Sequence, residues 1–233
     1  MTSPTALVTG ASRGLGLALA TALDAEGWQL VLDARDGDRL ATAVAGLPLP
    51  GLVTALPGDV ADPAHRAALA AAVPSRLDLL VTNASDLGPS PLPPLAELPL
   101  PAFERVLAVN TVAPLALVQL LLPALRRAGG RVLQISSDAA VEAYAGWGGY
   151  GASKAALDQL SAVLAVEEPD LRVYAVDPGD MATEMHQAAF PGEDISDRPT
   201  PETVVPALLR LVAGELPSGR YRAAELAAAG APA

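Results

Sequence analysis

The run Thr5-Ala6-Leu7-Val8-Thr9-Gly10-Ala11-Ser12-Arg13-Gly14-Leu15-Gly16-Leu17-Ala18-Leu19-Ala20-Thr21-Ala22-Leu23 decides how this chain folds. Its first four residues are apolar enough for a buried strand. Glycines at positions 10, 14 and 16 punctuate the turn that follows, and the remainder has helical character. Strand, glycine turn and helix in that order make a phosphate cradle. The glycines allow a tight turn and close backbone approach, and the helix N-terminus offers unpaired N–H groups and a favourable dipole to a pyrophosphate. An ordinary strand-to-helix turn can also be rich in glycine, but here all three parts fall where the cradle requires them.

Outward from this run, apolar strands and helical segments alternate without repeats. The pattern predicts strands near 4–9, 29–33, 52–57, 77–82, 131–136 and 171–176, with a short last one near 219–223. Helical segments are expected near 14–26, 36–45, 63–73, 102–127, 150–168 and 202–213, the fourth kinked by Pro114 just after Asn110. Such alternation implies an α/β fold, a doubly wound parallel sheet of about seven strands with helices on both faces. With 233 residues the chain suits a single domain over 1–233. Prolines between Pro89 and Pro101 mark a long connection, and residues 180–199 read as a loop placed to cover a substrate.

Composition narrows the chemistry. The absence of cysteine excludes disulfides, thiol catalysis and cysteine-ligated metal, and two distant histidines, His65 and His186, argue against a histidine-based metal site, so no metal is expected. A net charge of −11 argues against nucleic acid and anionic membrane as partners. The longest apolar stretch, Val112 to Leu125, reads as too short for a membrane span. No basic, apolar, small-residue leader opens the chain, so a cytoplasmic location is expected.

Lys154 is the only lysine, against fourteen arginines, and it stands four residues after Tyr150. Positions i and i+4 share a helix face, so phenol and ammonium can enter one cleft. The cation is expected to favour the phenolate and so suit Tyr150 to acid/base work. An isolated surface lysine would explain the same residue. The other motifs weigh against that.

Thr9-Gly10-x-x-x-Gly14-x-Gly16, Asn83-Ala84, Asn110, Ser136-Ser137, Tyr150-x-x-x-Lys154 and Pro178-Gly179 occur in order across nearly the whole chain. Together they resemble the short-chain dehydrogenase/reductase family, in the single-domain branch that reduces carbonyls or oxidises alcohols. The resemblance implies a Rossmann fold and an NAD(P)-dependent oxidoreductase with Tyr150 as general acid/base. Ser137 would hydrogen-bond the reacting oxygen, Lys154 would hold the nicotinamide ribose, and Asn110 would support a water that links Lys154 to solvent. Ser136 and Tyr144 compete for the serine and tyrosine roles. The family register favours Ser137, and Tyr144 lacks a lysine four residues on.

The implied cofactor contacts are Gly10, Ser12, Arg13, Gly14, Leu15, Gly16, Arg35, Asp59, Val60, Asn83, Ala84, Tyr150, Lys154, Pro178, Gly179 and Thr183. Asp59 would meet the adenine amino group. Ser85 departs from the glycine that many members carry. By the same resemblance, Ala34 followed by Arg35, with Arg13, favours NADP(H), since two guanidiniums suit a 2′-phosphate; Asp33 keeps NAD(H) open. Asp138, Tyr144, Met181, Met185 and His186 are candidate contacts for a small carbonyl or alcohol substrate. A homodimer or homotetramer is expected. The alternative is a regulatory or redox-sensing protein that binds NADP without turnover on the same fold.

Overall fold

The computed structural model describes residues 3–228. Seven strands form one parallel sheet in the order β3-β2-β1-β4-β5-β6-β7. They are β1 (Thr5–Val8), β2 (Gln29–Ala34), β3 (Val53–Pro57), β4 (Leu79–Thr82), β5 (Arg131–Ile135), β6 (Arg172–Asp177) and β7 (Gly219–Arg222). The order reverses at β1, which pairs with β2 on one side and β4 on the other. A crevice therefore opens at the carboxyl ends of these strands, the usual place for a ligand in doubly wound sheets.

Side-chain alternation explains why both faces are covered. Ala6 and Val8 of β1, Leu30 and Leu32 of β2 and Leu79 and Val81 of β4 join one buried cluster. The intervening Leu7, Val31 and Leu80 join the other. Helices α1 (Gly14–Ala25) and α2 (Gly37–Ala45) cover the first face with Leu19, Leu23 and Leu40. Helix α3 (Pro63–Ala72) contributes Leu69 to the second. Asp36 and Asp62 cap α2 and α3 by accepting the Arg39 and Ala64 N–H groups, so both helices begin where a polar cap precedes an apolar-periodic run.

The helix expected over 102–127 is a longer run in three parts: α4 (Leu100–Leu107), a π turn at Ala108–Val112 and α5 (Ala113–Ala128). In the π turn the Ala113 N–H reaches Ala108 O. Pro114 follows it at the second position of α5 and has no N–H to give to the Asn110 carbonyl. The run spans 29 residues and is long and apolar enough to cross a membrane by those measures, contrary to the shorter stretch read from the sequence. Its Leu117, Leu121 and Leu125 are buried against the sheet.

Helix α6 (Gly148–Glu167) follows β5, and α7 (Glu184–Ala189) lies inside the segment expected to be a loop. Helix α8 (Val205–Ala213) packs beside α1, and α9 (Ala223–Ala228) closes the described chain. Neither α7 nor α9 was expected from the sequence. Each has only six residues, too few for a periodic signal.

Candidate active site

The turn after β1 is built to bring backbone close to a ligand. Gly10 has φ +67°, and a Cβ there would come within 2.9 Å of Ala84 Cα. A Cβ on Gly16 would lie 2.4 Å from Gly10 O and 2.5 Å from Asn83 Nδ2, so this contact admits only glycine. Part-buried hydrogen bonds tie the turn to the residues that follow β4. Asn83 Nδ2 donates to Thr9 O (2.9 Å) and Gly10 O (3.1 Å), and the Asn83 and Ala84 N–H groups both donate to Thr9 Oγ1 (3.0 Å each).

Asp33, buried at the end of β2, accepts the Gly10 N–H at Oδ1 (2.9 Å) and meets His65 Nε2 at Oδ2 (3.2 Å). Burial raises its pKa, against the pull of Gly10 and His65. Both oxygens are thus engaged by the protein's own turn and by α3. Asp33 pairs with Leu56 inside the sheet and also lines the cleft beyond it.

Beyond β2, Arg13, Arg35 and Arg39 gather at one end of a cleft of about 760 Å³. Partial burial and the repulsion of Arg39 and Arg35 lower the pKa of Arg13. Glu184 bonds both Arg13 and Arg39, the latter at 2.9 Å. Arg39 and Glu184 were missed in the sequence. Arg39 lies in the first turn of α2 and Arg35 just before the Asp36 cap; Glu184 lies 145 residues beyond Arg39 and no local pattern links it to them.

Asp59 accepts the Ala61 N–H (2.9 Å) and Arg105 Nη2 (2.7 Å). Burial opposes its charge, but those two bonds outweigh it and hold the carboxyl below its ordinary pKa. Arg105 also approaches Asp86 at 3.5 Å. It is a further lining residue that the sequence did not single out.

At the other end of the cleft, the ends of β5 and β6 bring Ser137, Tyr150, Lys154 and Asp177 together. Lys154, 2% exposed, donates from Nζ to Ile135 O (2.7 Å) and lies 5.5 Å from the Tyr150 ring centroid. Burial pulls its pKa down to about 8, with Asp158 opposing. Burial also pushes the Tyr150 phenol up to about 12. The Ser85 and Ser137 hydroxyls work the other way, and Asp138 and Asp177 add to the rise. The rise is led by desolvation, the effect that most disfavours a buried phenolate, and it runs opposite to the lowering expected from the i,i+4 lysine.

Ser137 Oγ donates to Asp138 Oδ1 (2.9 Å) and accepts the Ala139 N–H (3.2 Å). Its carbonyl accepts Arg220 Nη2 (2.9 Å), and Arg220 also bonds Asp158 of α6 (2.9 Å), so β7 braces both strand end and helix. Ser136 is buried with its Oγ unpartnered. Asn110, 1% exposed, accepts the Asp86 N–H (2.7 Å) and the Ser85 hydroxyl (3.2 Å), and donates to Asp86 O (2.8 Å) and Ser153 Oγ (2.9 Å). Its carboxamide is a clamp between the loop after β4 and α6. Pro114, four residues on, has no N–H to give to the Asn110 main-chain carbonyl.

Most of the residues expected to form the site line this one cleft, including Ser12, Gly14, Leu15, Val60, Ala84, Pro178, Gly179 and Thr183. Met181, Met185, His186 and Asp138 line it too. Tyr144 does not. It is exposed and shares its hydroxyl between Asp138 (3.0 Å) and Glu142 (2.8 Å), which raises its pKa. Gly16 and Asn110 support the lining from behind. Met185, Ala188 and Ala189 of α7, partly buried, pack beside Trp147 against Leu87, Ala139 and Tyr150, so the segment 180–199 is anchored on apolar residues that lie outside it.

A family model described as short chain dehydrogenase matches residues 4–194. The chain belongs to that family. Among its relatives, the short chain dehydrogenase asqE of Emericella nidulans is 39% identical over 70% of this chain, which spans 64% of asqE's length. The rhamnolipids biosynthesis 3-oxoacyl-[acyl-carrier-protein] reductase of Pseudomonas aeruginosa is 36% identical over 77% of this chain and 73% of its own. A short chain dehydrogenase from Shigella flexneri, solved in complex with NADP, superposes with a TM-score of 0.88 at 29% identity, covering 96% of this chain and 98% of that one. This is an oxidoreductase family, and the doubly wound sheet described above is its fold.

Proposed function

We propose that this short-chain dehydrogenase transfers hydride between NADP(H) and a small carbonyl compound or secondary alcohol, in one domain over 1–233. The observation that carries this reading is the cleft itself, which joins a three-arginine cluster after β2 to Ser137, Tyr150 and Lys154 after β5. Arginine offers planar, permanently charged donors that suit a phosphate, and Asp33, the acid that would favour NAD, is engaged by Gly10 and His65. The Shigella relative solved with NADP agrees. The glycine cradle, Asn83 and Ala84 would seat the pyrophosphate and adenosine, and Pro178, Gly179 and Thr183 the nicotinamide.

When bound, the nicotinamide supplies or accepts the hydride. Tyr150 gives its phenolic proton to the carbonyl oxygen in reduction and takes it back in oxidation. Ser137, on turning from Asp138, donates to the same oxygen and stabilises its negative charge. Lys154, held by Ile135, fixes the ribose and the electrostatics around the phenol. The apolar outward residues of α4, α5 and α6, among them Leu100, Leu120 and Val166, are offered to a second copy in a homodimer or homotetramer.

Tyr150→Phe tests the assignment. It should cut carbonyl reduction by about 10²–10⁴-fold while leaving NADPH affinity near wild type. Substantial turnover in the folded variant would sink the role given to Tyr150, whereas tight NADPH binding by a wild type that turns over no carbonyl or alcohol would favour the regulatory alternative. The pH profile is a second test. Lys154, with pKa near about 8, is charged below that pH and neutral above it, while Tyr150, at about 12, stays protonated across both ranges. Reduction should therefore be fastest near and below neutrality and fall as pH rises through about 8. A flat initial-rate profile across that range would mean that the Lys154 charge is not used.

A further inference from the structure

The residue that closes the arginine cluster belongs to a different part of the chain. Glu184 opens α7, directly after Thr183, whose hydroxyl accepts the His186 N–H and caps the helix. Its carboxylate bonds Arg13 Nη1 and takes Arg39 Nη1 at both oxygens, at 2.9 and 3.2 Å. Glu184 is thus an anion bound between two guanidiniums, in the cluster that the NADP reading assigns to the 2′-phosphate. Asp36, 3.7 Å from Arg39, is the other carboxylate in the group.

Charge counting decides whether the carboxylate and a phosphate can share the cluster. Arg13, Arg35 and Arg39 bring three positive charges. A phosphomonoester carries between about −1.5 and −2 near neutral pH. With Asp36 the sum is near zero, but with Asp36 and Glu184 together it is negative, and Glu184 would abut a like-charged group. A phosphate also presents three acceptor oxygens to forked donors, where a carboxylate presents two. The better-matched anion displaces the poorer.

We propose that Glu184 is a built-in competitor for the 2′-phosphate of the cofactor: it holds Arg13 and Arg39 in the free protein and yields them when the phosphate arrives. The inference rests on the NADP reading of the cleft. It makes Glu184 a specificity-determining residue of opposite sign to the arginines, because it taxes only the cofactor that carries the phosphate. It also links cofactor to substrate side. Release of Glu184 frees the first turn of α7, whose Met185, Ala188 and Ala189 pack around Tyr150.

The test is equilibrium binding of NADPH, NADH, adenosine 2′,5′-bisphosphate and 5′-AMP to wild type and Glu184→Gln, by calorimetry without turnover. Glu184 is half-exposed, so the glutamine variant keeps its fold and nearly its shape. Glu184→Gln should bind NADPH and the bisphosphate about three- to tenfold more tightly and leave NADH and 5′-AMP unchanged, the size expected for losing two exposed ion pairs. Weaker binding of the phosphate-bearing ligands would mean that Glu184 clasps the phosphate from above, and would overturn the proposal. Unchanged affinities in a variant whose parent discriminates NADPH from NADH would overturn it as well, leaving the cofactor reading intact. A wild type that binds all four without regard to the phosphate would remove both.

Discussion

The glycine turn after β1 and the first turn of α7 touch across the cleft, through Gly14 against Thr183 and Arg13 against Glu184, yet they are secured by different physics. The turn is fixed from within. Asn83 and Asp33 engage its backbone by three hydrogen bonds, and Thr9 Oγ1 accepts two more from the Asn83 and Ala84 N–H groups, all of 2.9–3.1 Å in part-buried surroundings, where breaking one leaves a polar group unsatisfied. Helix α7 is fixed from outside, by one cap, a small apolar contact around Tyr150 and ion pairs whose side chains are about half exposed. Exposed pairs of that kind contribute about 0–1 kcal/mol. A preorganised site needs the first regime, and a segment that yields locally needs the second.

Gly16→Ala is the sharpest way to break the rigid half. Its Cβ would meet Gly10 O at 2.4 Å and Asn83 Nδ2 at 2.5 Å, so the backbone and the clamp must shift together. Overpacking of this kind costs about 1–3 kcal/mol. The denaturation midpoint should fall accordingly and NADPH binding should fall with it, because the displaced atoms frame the cradle. Unchanged binding would show that the turn adapts, and the contrast with α7 would collapse.

Much of the rigid half was legible in the sequence because its signals are local. Strand, glycine turn and helix follow one another within residues 5–25, and all seven strands lie within about two residues of their expected places. What escaped the sequence is either short or long-range. Helix α7 has too few residues for a period to register. Its partners Arg13 and Arg39 lie 171 and 145 residues away, a pairing that only the fold creates. Burial was the other blind spot. The i,i+4 spacing rightly placed Tyr150 and Lys154 on one face of α6, but their pKa values move with desolvation, which a spacing does not report. Asn110 was singled out for its place in an ordered motif. That its carboxamide is wholly spent on Asp86, Ser85 and Ser153 depends on where the loop after β4 comes to rest.

A smaller effect is expected in α7 from Thr183→Ala. Loss of the bond from the His186 N–H to Thr183 Oγ1 (3.2 Å) removes the cap of α7 and should cost that helix about 1 kcal/mol. With six residues, α7 should register the loss as local opening. Hydrogen exchange at 184–189 should accelerate about fivefold while the β1–α1 turn and the global denaturation midpoint hold steady. An equal drop in the midpoint would mean that α7 unfolds only with the rest of the protein.

The least expected change, and the one that isolates the ion pairs, comes from salt. Raising ionic strength from about 0.01 M to 1 M shortens the screening length from about 30 Å to about 3 Å. Arg13, Arg39 and Glu184 are each about half exposed, so their attraction should weaken, whereas Asp33 and its bond to the Gly10 N–H are shielded from the ions. Exchange of the α7 amides should therefore rise by no more than about fivefold, corresponding to less than about 1 kcal/mol, and that of the Gly10 amide should not move. Apolar contacts are not weakened by screening, so Met185, Ala188 and Ala189 would keep their hold on Tyr150 throughout. A salt-independent α7 would assign its anchoring to those three residues, the Thr183 cap and the bond from the Ser90 hydroxyl to Ala188 O, and the difference between the two sides of the cleft would then not be one of charge.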